Sequence, residues 1–283
     1  MASAVDDLIQ LLDLEQIEVN IFRGAQPKAV NLDLQRVFGG QVAGQALVAA
    51  ARTVEPDRSV HSMHAYFLRP GDVSIPILYD VDHIRDGSSF ATRRVVAIQH
   101  GRAIFNLQAS FQIEESGFEH ALPMPDVPDP ETLQSVEQRW IDAGLGLDPP
   151  ERGIDIRYVE DPIFSDPSAP PRFSQHVWIR VKAPLPDDPI LHTCALVYAS
   201  DITLMDTTLL PHGRSHHGAK VQMASLDHAM WFHRPFRADE WLLYAVQTPS
   251  ASGARGFAEG KIFDRSGHLV VSVVQEGLIR PRR

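Results

Sequence analysis

The chain of 283 residues is short of sulfur and of positive charge. Its one cysteine, Cys194, excludes an intramolecular disulfide and a cysteine-based zinc cluster. A lone thiol suits a reducing compartment, so the cytoplasm is the expected location. Lys and Arg number 26 against 36 Asp and Glu, a formal net charge of −10. Nucleic-acid binders carry a basic footprint, so no nucleic-acid partner is expected. No run of about 18 apolar residues occurs, and no transmembrane segment is expected. The N-terminal stretch MASAVDDLIQLLDLEQIEV lacks the basic and apolar regions of a secretory signal. GxGxxG, Walker A and GxSxG patterns are all missing; GRSHHG is not a nucleophile elbow. Dinucleotide, P-loop and serine-hydrolase readings therefore lose their support.

What is present is an ordinary globular composition, 44% hydrophobic and 22% charged, at a length that suggests about two domains. Thirteen of the 21 prolines fall between Pro123 and Pro189. Proline fixes φ and removes a donor, so this span holds no long helix or central strand. Its first part reads as a linker with one short helix at DPETLQSVEQRW.

The flanks resemble each other. HAYFLRP (64–70) and GRAIFNLQASFQI (101–113) have counterparts in HAMWFHRP (228–235) and GHLVVSVVQEGLI (267–279). Aligning Arg69 with Arg234 gives an offset of 165, and Gly101 with Gly267 gives 166. A constant offset over this distance is the mark of a tandem duplication. IEVNIFRG (17–24) and IDIRYVED (154–161) each read as a short opening strand. A helical segment follows, FGGQVAGQALVAAARTV in the first copy and DPILHTCALVYASDITLMDTTLL in the second. Runs rich in β-branched and aromatic residues come next, divided by RPGD, RDGSS, SASG and DRSG turns. The expected fold is α+β: two tandem copies of a long central helix wrapped by an antiparallel sheet, with one continuous sheet and both helices on its inner side. The expected division is 1–115, a proline-rich linker at 116–149, and 150–283.

RVFGGQVAGQAL, HSMHAYFLRPGD, SLDHAMWFHRPFRADEWLLY, SASGARG and VVQEG, in this order, resemble the acyl-CoA thioesterase II family, whose members carry two hotdog folds in one chain. The resemblance spans nearly the whole chain. It implies hydrolysis of acyl-CoA to fatty acid and CoA, no metal or organic cofactor, and a homo-oligomer, a dimer or tetramer. It also implies a catalytic set of Asp201 on the second helix, Ser225 on the strand before WFHRPF, and Gln275 in VQEG. Thr is common at the middle position, and this chain keeps only its hydroxyl.

The chemistry needs a water activated at a thioester carbonyl. An Asp supplies a charged acceptor, a Gln can hold the water through its carbonyl while its NH2 is fixed elsewhere, and a hydroxyl can orient both. Backbone N–H groups near a helix N-terminus would meet the oxyanion. Gln275 aligns with Ala109, so a polar residue stands in one copy where the other is apolar. A hydrogen-bonded core carboxylate is the plain alternative for Asp201.

Other candidates are weaker. His212, His216 and His217 have a spacing that suits a metal, but without HExxH they read as a solvated loop. His61, His64, His228 and His233 read as structural histidines at the seam of the fold. Cys194 lies in an apolar helix, where a thiol is inert. Arg69, Arg93, Arg94, Lys220, Arg234, Arg237 and Arg255 are available for CoA phosphates. Phe38, Tyr66, Phe67, Met230 and Trp231 are candidates to line an acyl tunnel or fill the core. The rival functions are a non-hydrolytic acyl-CoA binding protein and an acyl-CoA dehydratase; the latter would want a His/Asp pair.

Overall fold

The computed structural model describes residues 4–26, 36–144, 153–162, 170–213 and 221–281. The chain opens with α1 (Ala4–Leu12), whose Val5, Leu8, Leu11 and Leu12 are buried. β1 (Glu15–Glu18) and β2 (Ile21–Gly24) form a hairpin, where a single strand is expected over 17–24. α2 (Gly39–Ala51) follows, then β3 (Arg58–Phe67), β4 (Ile77–Asp86), β5 (Phe90–Gln99) and β6 (Arg102–Ile113). α3 (Val136–Asp142) is the short helix of the proline-rich span, with the Ser135 hydroxyl accepting from Gln138 N–H as its cap.

The second half repeats this order with β7 (Ile154–Tyr158), β8 (Ser174–Val181), α4 (Pro189–Ser200), β9 (Val221–Ser225), β10 (Asp227–Phe232), β11 (Leu242–Ser252), β12 (Arg255–Phe263) and β13 (Leu269–Pro281). β8 is not anticipated by the sequence pattern. It lies one strand in from the sheet edge, with Pro171 and Pro184 outside its ends. The helix expected over 188–210 also ends early. α4 stops at Ser200, and a 3-10 turn over Met205–His212 closes on Gly213 in the left-handed region.

Among the described residues, the thirteen strands form one sheet. Its path runs β1-β2-β4-β5-β6-β3-β10-β13-β12-β11-β8-β7, with β9 added on β13. Every pairing is antiparallel, and the halves join where β3 meets β10 at His64 and Ala229. Strand alternation sends Met63, Leu107, Ala109, Met230, Val273 and Gln275 into one continuous interior. This is the duplicated α+β arrangement expected from the offsets.

Two helices fill that interior. α2 is built from Gly, Ala, Val, Leu and Gln and is buried on nearly all sides. α4 starts on Asp188, whose side chain accepts from Ile190 N–H, with Pro189 in the first turn. The two cross antiparallel at close range. A Cβ on Gly40 would collide with the backbone oxygen of Tyr198, and one on Gly44 would lie 3.1 Å from that of Cys194. Gly40→Ala is therefore expected to destabilise the protein by about 1–3 kcal/mol, because a helix backbone cannot yield as a side chain does. Alanine's helix propensity returns only about 1 kcal/mol of that. Denaturant unfolding of parent and variant checks the sign.

Candidate active site

Where α4 ends, Asp201 takes the C-cap with φ −79° and ψ −5°. A carboxylate at a helix C-terminus is electrostatically disfavoured. The helix crossing offsets this, since the C-terminal end of α4 meets the N-terminal end of α2. A Cβ on Gly39, the first residue of α2, would lie 2.7 Å from Asp201 Oδ2. Glycine is needed there for the close approach. Phe38 stands at the N-cap of α2 and makes no side-chain cap hydrogen bond.

Two further elements supply partners to the other oxygen. Gln275, wholly buried on β13, donates from Nε2 to Asp201 Oδ1 at 2.7 Å. Ser225, the last residue of β9, donates from Oγ to the same oxygen at 3.4 Å. All three sequence-predicted residues thus meet around one carboxylate. They meet directly, with Oδ1 holding both partners and Oδ2 facing the start of α2.

Other residues around the site do not stand out in sequence. His228 on β10 is buried, and its Nε2 lies 3.0 Å from Ser200 Oγ. Burial lowers its pKa, while Asp201 and Asp227 act in the opposite direction. Tyr244 on β11 is buried, its hydroxyl has no hydrogen-bond partner among the described residues, and burial with the charge of Asp201 pushes its pKa up. Its counterpart at the offset of 165 is Tyr79, whose hydroxyl donates to Gln45 Oε1 on α2 at 2.7 Å. α4 carries no glutamine to serve Tyr244 in the same way.

Phe67 also approaches the Gly39 position, at 2.9 Å from a Cβ built there, and Phe38 packs edge-on against Tyr198. These two aromatics border the site. The other tunnel candidates do not: Met230 is fully buried core, Tyr66 is 58% exposed, and Trp231 stacks edge-on with His64. Among the basic candidates, Arg93 is buried and bonded to Thr53 and Asp86. Arg69 and Arg234 bond the backbone oxygens of Ala103 and Leu269, and Arg94 pairs with Asp82. Arg237 pairs with Asp187 and Asp239, and Arg255 with Glu276, the neighbour of Gln275. Lys220, His216 and His217 lie outside the described residues. Cys194 is fully buried, and burial pushes its thiol pKa up, as expected for an inert thiol. A groove of about 250 Å³ between Arg180, Lys182, Pro184 and Arg237 is separate from Asp201; its three cations are paired with Asp155, Glu137 and Asp239.

Fold and site together define a duplicated hotdog protein with a polar centre around Asp201, built where the helix of one half ends against the helix of the other. The family model described as acyl-CoA thioesterase matches residues 160–278, and that described as acyl-CoA thioesterase N-terminal domain matches residues 29–112. The chain belongs to the acyl-CoA thioesterase family. It is 43% identical to mouse acyl-coenzyme A thioesterase 8, over 95% of this chain and 88% of that one. It is 40% identical to acyl-CoA thioesterase 2 of Haemophilus influenzae, over 99% of both. Among solved structures, the acyl-CoA thioesterase II TesB2 of Mycobacterium marinum matches with a TM-score of 0.81 at 47% identity, covering 97% of this chain and 98% of that one.

The two tyrosines give a test of how the repeats differ. Tyr79→Phe strands the buried Gln45 oxygen and is expected to cost about 1–3 kcal/mol. Tyr244→Phe removes a hydroxyl that already lacks a partner and should leave stability within about 0.5 kcal/mol of the parent. Paired urea denaturation curves measure both; equal losses would show that the two hydroxyls are served alike.

Proposed function

We propose that the protein hydrolyses acyl-CoA thioesters with Asp201 as general base, Gln275 and Ser225 as the groups that fix its carboxylate, and the start of α2 as the oxyanion site. The observation that carries this reading is the Asp201 carboxylate, held on Oδ1 by Gln275 at 2.7 Å and Ser225 at 3.4 Å, with Oδ2 against Gly39. Two donors on one oxygen fix the plane of the carboxylate and leave the other oxygen to a water. Asp201 takes a proton as that water's oxygen attacks the thioester carbon. The negative charge that develops on the carbonyl oxygen meets the positive end of the α2 dipole and its first backbone N–H groups. Collapse of the intermediate expels the CoA sulfur, which takes the proton from Asp201. The products are the fatty acid and CoA thiol, and the carboxylate is regenerated. The step draws on no cofactor.

We further propose that the chain divides at 1–115, 116–149 and 150–283, and that it works in the cytoplasm, where its single thiol needs no partner. Among the described residues, no helix is long and apolar enough to cross a membrane. A homo-oligomer, a dimer or tetramer, would cover the edges at β1 and β7 and the exposed Ile17, Val19, Leu78 and Ile84. Light scattering at micromolar concentration should give a mass at least twice the 31.5 kDa of the chain; only monomer would contradict it.

Free-thiol release from a series of acyl-CoAs tests the chemistry. The parent should release CoA, whereas a non-hydrolytic binding protein would release none. Asp201→Asn should lower turnover by about 10²–10⁴-fold at unchanged fold. Gln275→Ala should lower kcat more than it changes KM. Ser225→Thr should stay near the parent rate, and Ser225→Ala should fall below it. Parental turnover by Asp201→Asn would show that the base lies elsewhere.

A further inference from the structure

An acyl-CoA has its thioester at one end of the pantetheine arm and a diphosphate at the other. With the thioester carbon at Asp201, the arm must leave the site and carry the diphosphate to its rim. β9 runs along such a path. Ser225, at its inner end, bonds Asp201. From there the ladder with β13 runs from Ser225 opposite Gly277 to Val221 opposite Pro281, where Gln222, Arg280 and Pro281 are exposed.

A cation is bonded to this strand. Arg36 Nη2 donates to the Met223 backbone oxygen at 2.8 Å. Met223 lies two residues from Ser225, about 7 Å along an extended strand. The pantetheine arm, with its two amides and their methylenes, spans this step with length to spare.

The arginine is exposed, and no carboxylate among the described residues pairs with it. Its bond to Met223 occupies one N–H of the guanidinium, so a fork of N–H groups stays free, the geometry that suits phosphate oxygens. The backbone beneath it is held. Val37 N–H donates to Gly71 O at 2.9 Å, Val37 is buried, and a Cβ on Gly71 would lie 2.9 Å from the Val37 side chain. Three residues beyond Arg36, Gly39 meets Asp201. Arg36 therefore ties the lead into α2 to β9, and these two elements border the carboxylate.

Other basic side chains are engaged elsewhere. Glu276 holds Arg255, Asp187 and Asp239 hold Arg237, and Asp82 holds Arg94. Arg69 and Arg234 bond backbone oxygens of β6 and β13, not of β9. The chain as a whole carries a charge of −10, so its overall field does not favour an anionic substrate, and a local cation is required.

We propose that Arg36 binds the diphosphate of the CoA moiety, with the guanidinium set in place by Met223 O and its free N–H groups on the phosphate oxygens. This rests on the placement of the reacting centre at Asp201. The contact is remote from the thioester and equally present in substrate and transition state, so it acts on KM and leaves kcat alone.

The test uses the full chain as parent, Arg36→Ala, Arg36→Lys and Lys261→Ala, with Asp201→Asn as reference. Lys261 is a charge control on β12, where the buried Gly260 and Ile262 alternate with it and so face the other way. Three substrates are compared: decanoyl-CoA, its 3′-dephospho form, and the decanoyl thioester of N-acetylcysteamine, which has the reacting bond but no phosphate. Arg36→Ala should raise KM for both CoA esters by about tenfold, the loss of a charge-assisted bond at an exposed site. Its kcat should stay within about twofold, and Arg36→Lys, which keeps the charge without the fork, should recover part of the loss. On the phosphate-free ester all Arg36 variants should match the parent, which also shows that they are folded. Lys261→Ala should match the parent on every substrate. Parental KM in Arg36→Ala overturns the proposal. So does an equal loss on the phosphate-free ester, which would leave Arg36 only the task of holding β9. An effect confined to the ester bearing the 3′-phosphate, or an equal rise in Lys261→Ala, overturns the diphosphate contact as well. If Asp201→Asn turns over at the parent rate, the reacting centre itself is misplaced; if Asp201→Asn is slow and Arg36→Ala keeps the parent's KM, the failure belongs to Arg36 alone.

Discussion

The structure depends on one close approach, the antiparallel crossing of α2 and α4 through Gly39, Gly40 and Gly44. Gly40 and Gly44 bring the backbone of α2 against backbone oxygens of α4, and Gly39 makes room for the Asp201 side chain. The crossing joins the two halves of the core into one. It also decides where the ends of the helices fall. The end of α4, where a carboxylate is unwelcome, is brought against the start of α2, where it is welcome. Asp201 is therefore placed by the packing of the halves, and neither half contains the site alone. A methyl group at position 39 would press on a carboxylate oxygen of Asp201, whereas one at position 40 would press on the backbone of α4. Adjacent glycines thus answer to different constraints.

The duplication supplies its own control. Both halves share strand order, register and a central helix, so a difference at equivalent places is informative. In the first half, Met63 and Ala109 fill the row with apolar groups, and Tyr79 is satisfied by Gln45. In the second, His228 and Gln275 occupy the same row, and the Tyr244 hydroxyl is without a partner among the described residues. Buried polar atoms without partners are costly, and proteins keep them mainly where function requires them. The first half has the packing of a core, while the second has given up some of that packing for a polar centre.

Much of this was legible in the sequence. The 165–166 offset announced the repeat, and the helix-and-strands order gave the α+β class. The runs rich in β-branched and aromatic residues after the first helical segment became β3 to β6. What was missed has a physical reason in each case. β8 sits among prolines, but they flank it and never interrupt its ladder, so proline density misled. The apolar pattern of 188–210 continues past Ser200 while the backbone does not, because Asp201 must turn toward α2. The hairpin at 15–24 needs only two residues to reverse and leaves little trace in the hydrophobic pattern. Asp201, Ser225 and Gln275 came from the family resemblance and not from spacing. Gly39 escaped notice because its role exists only once two distant helices cross.

The geometry around Asp201 also accounts for the serine at position 225. Gln275 meets Oδ1 at 2.7 Å, a firm charge-assisted bond, while Ser225 reaches the same oxygen at 3.4 Å, a long one. Of the two donors to this oxygen, the amide is the stronger and the hydroxyl the weaker. Threonine would stiffen χ1 at this position, which matters where a hydroxyl must itself define geometry. Here the stronger partner comes from β13, in the interior of the sheet, and β9 is a short strand off its main path. A serine on this short strand, without the χ1 restriction of threonine, is compatible with a carboxylate whose shorter hydrogen bond comes from Gln275.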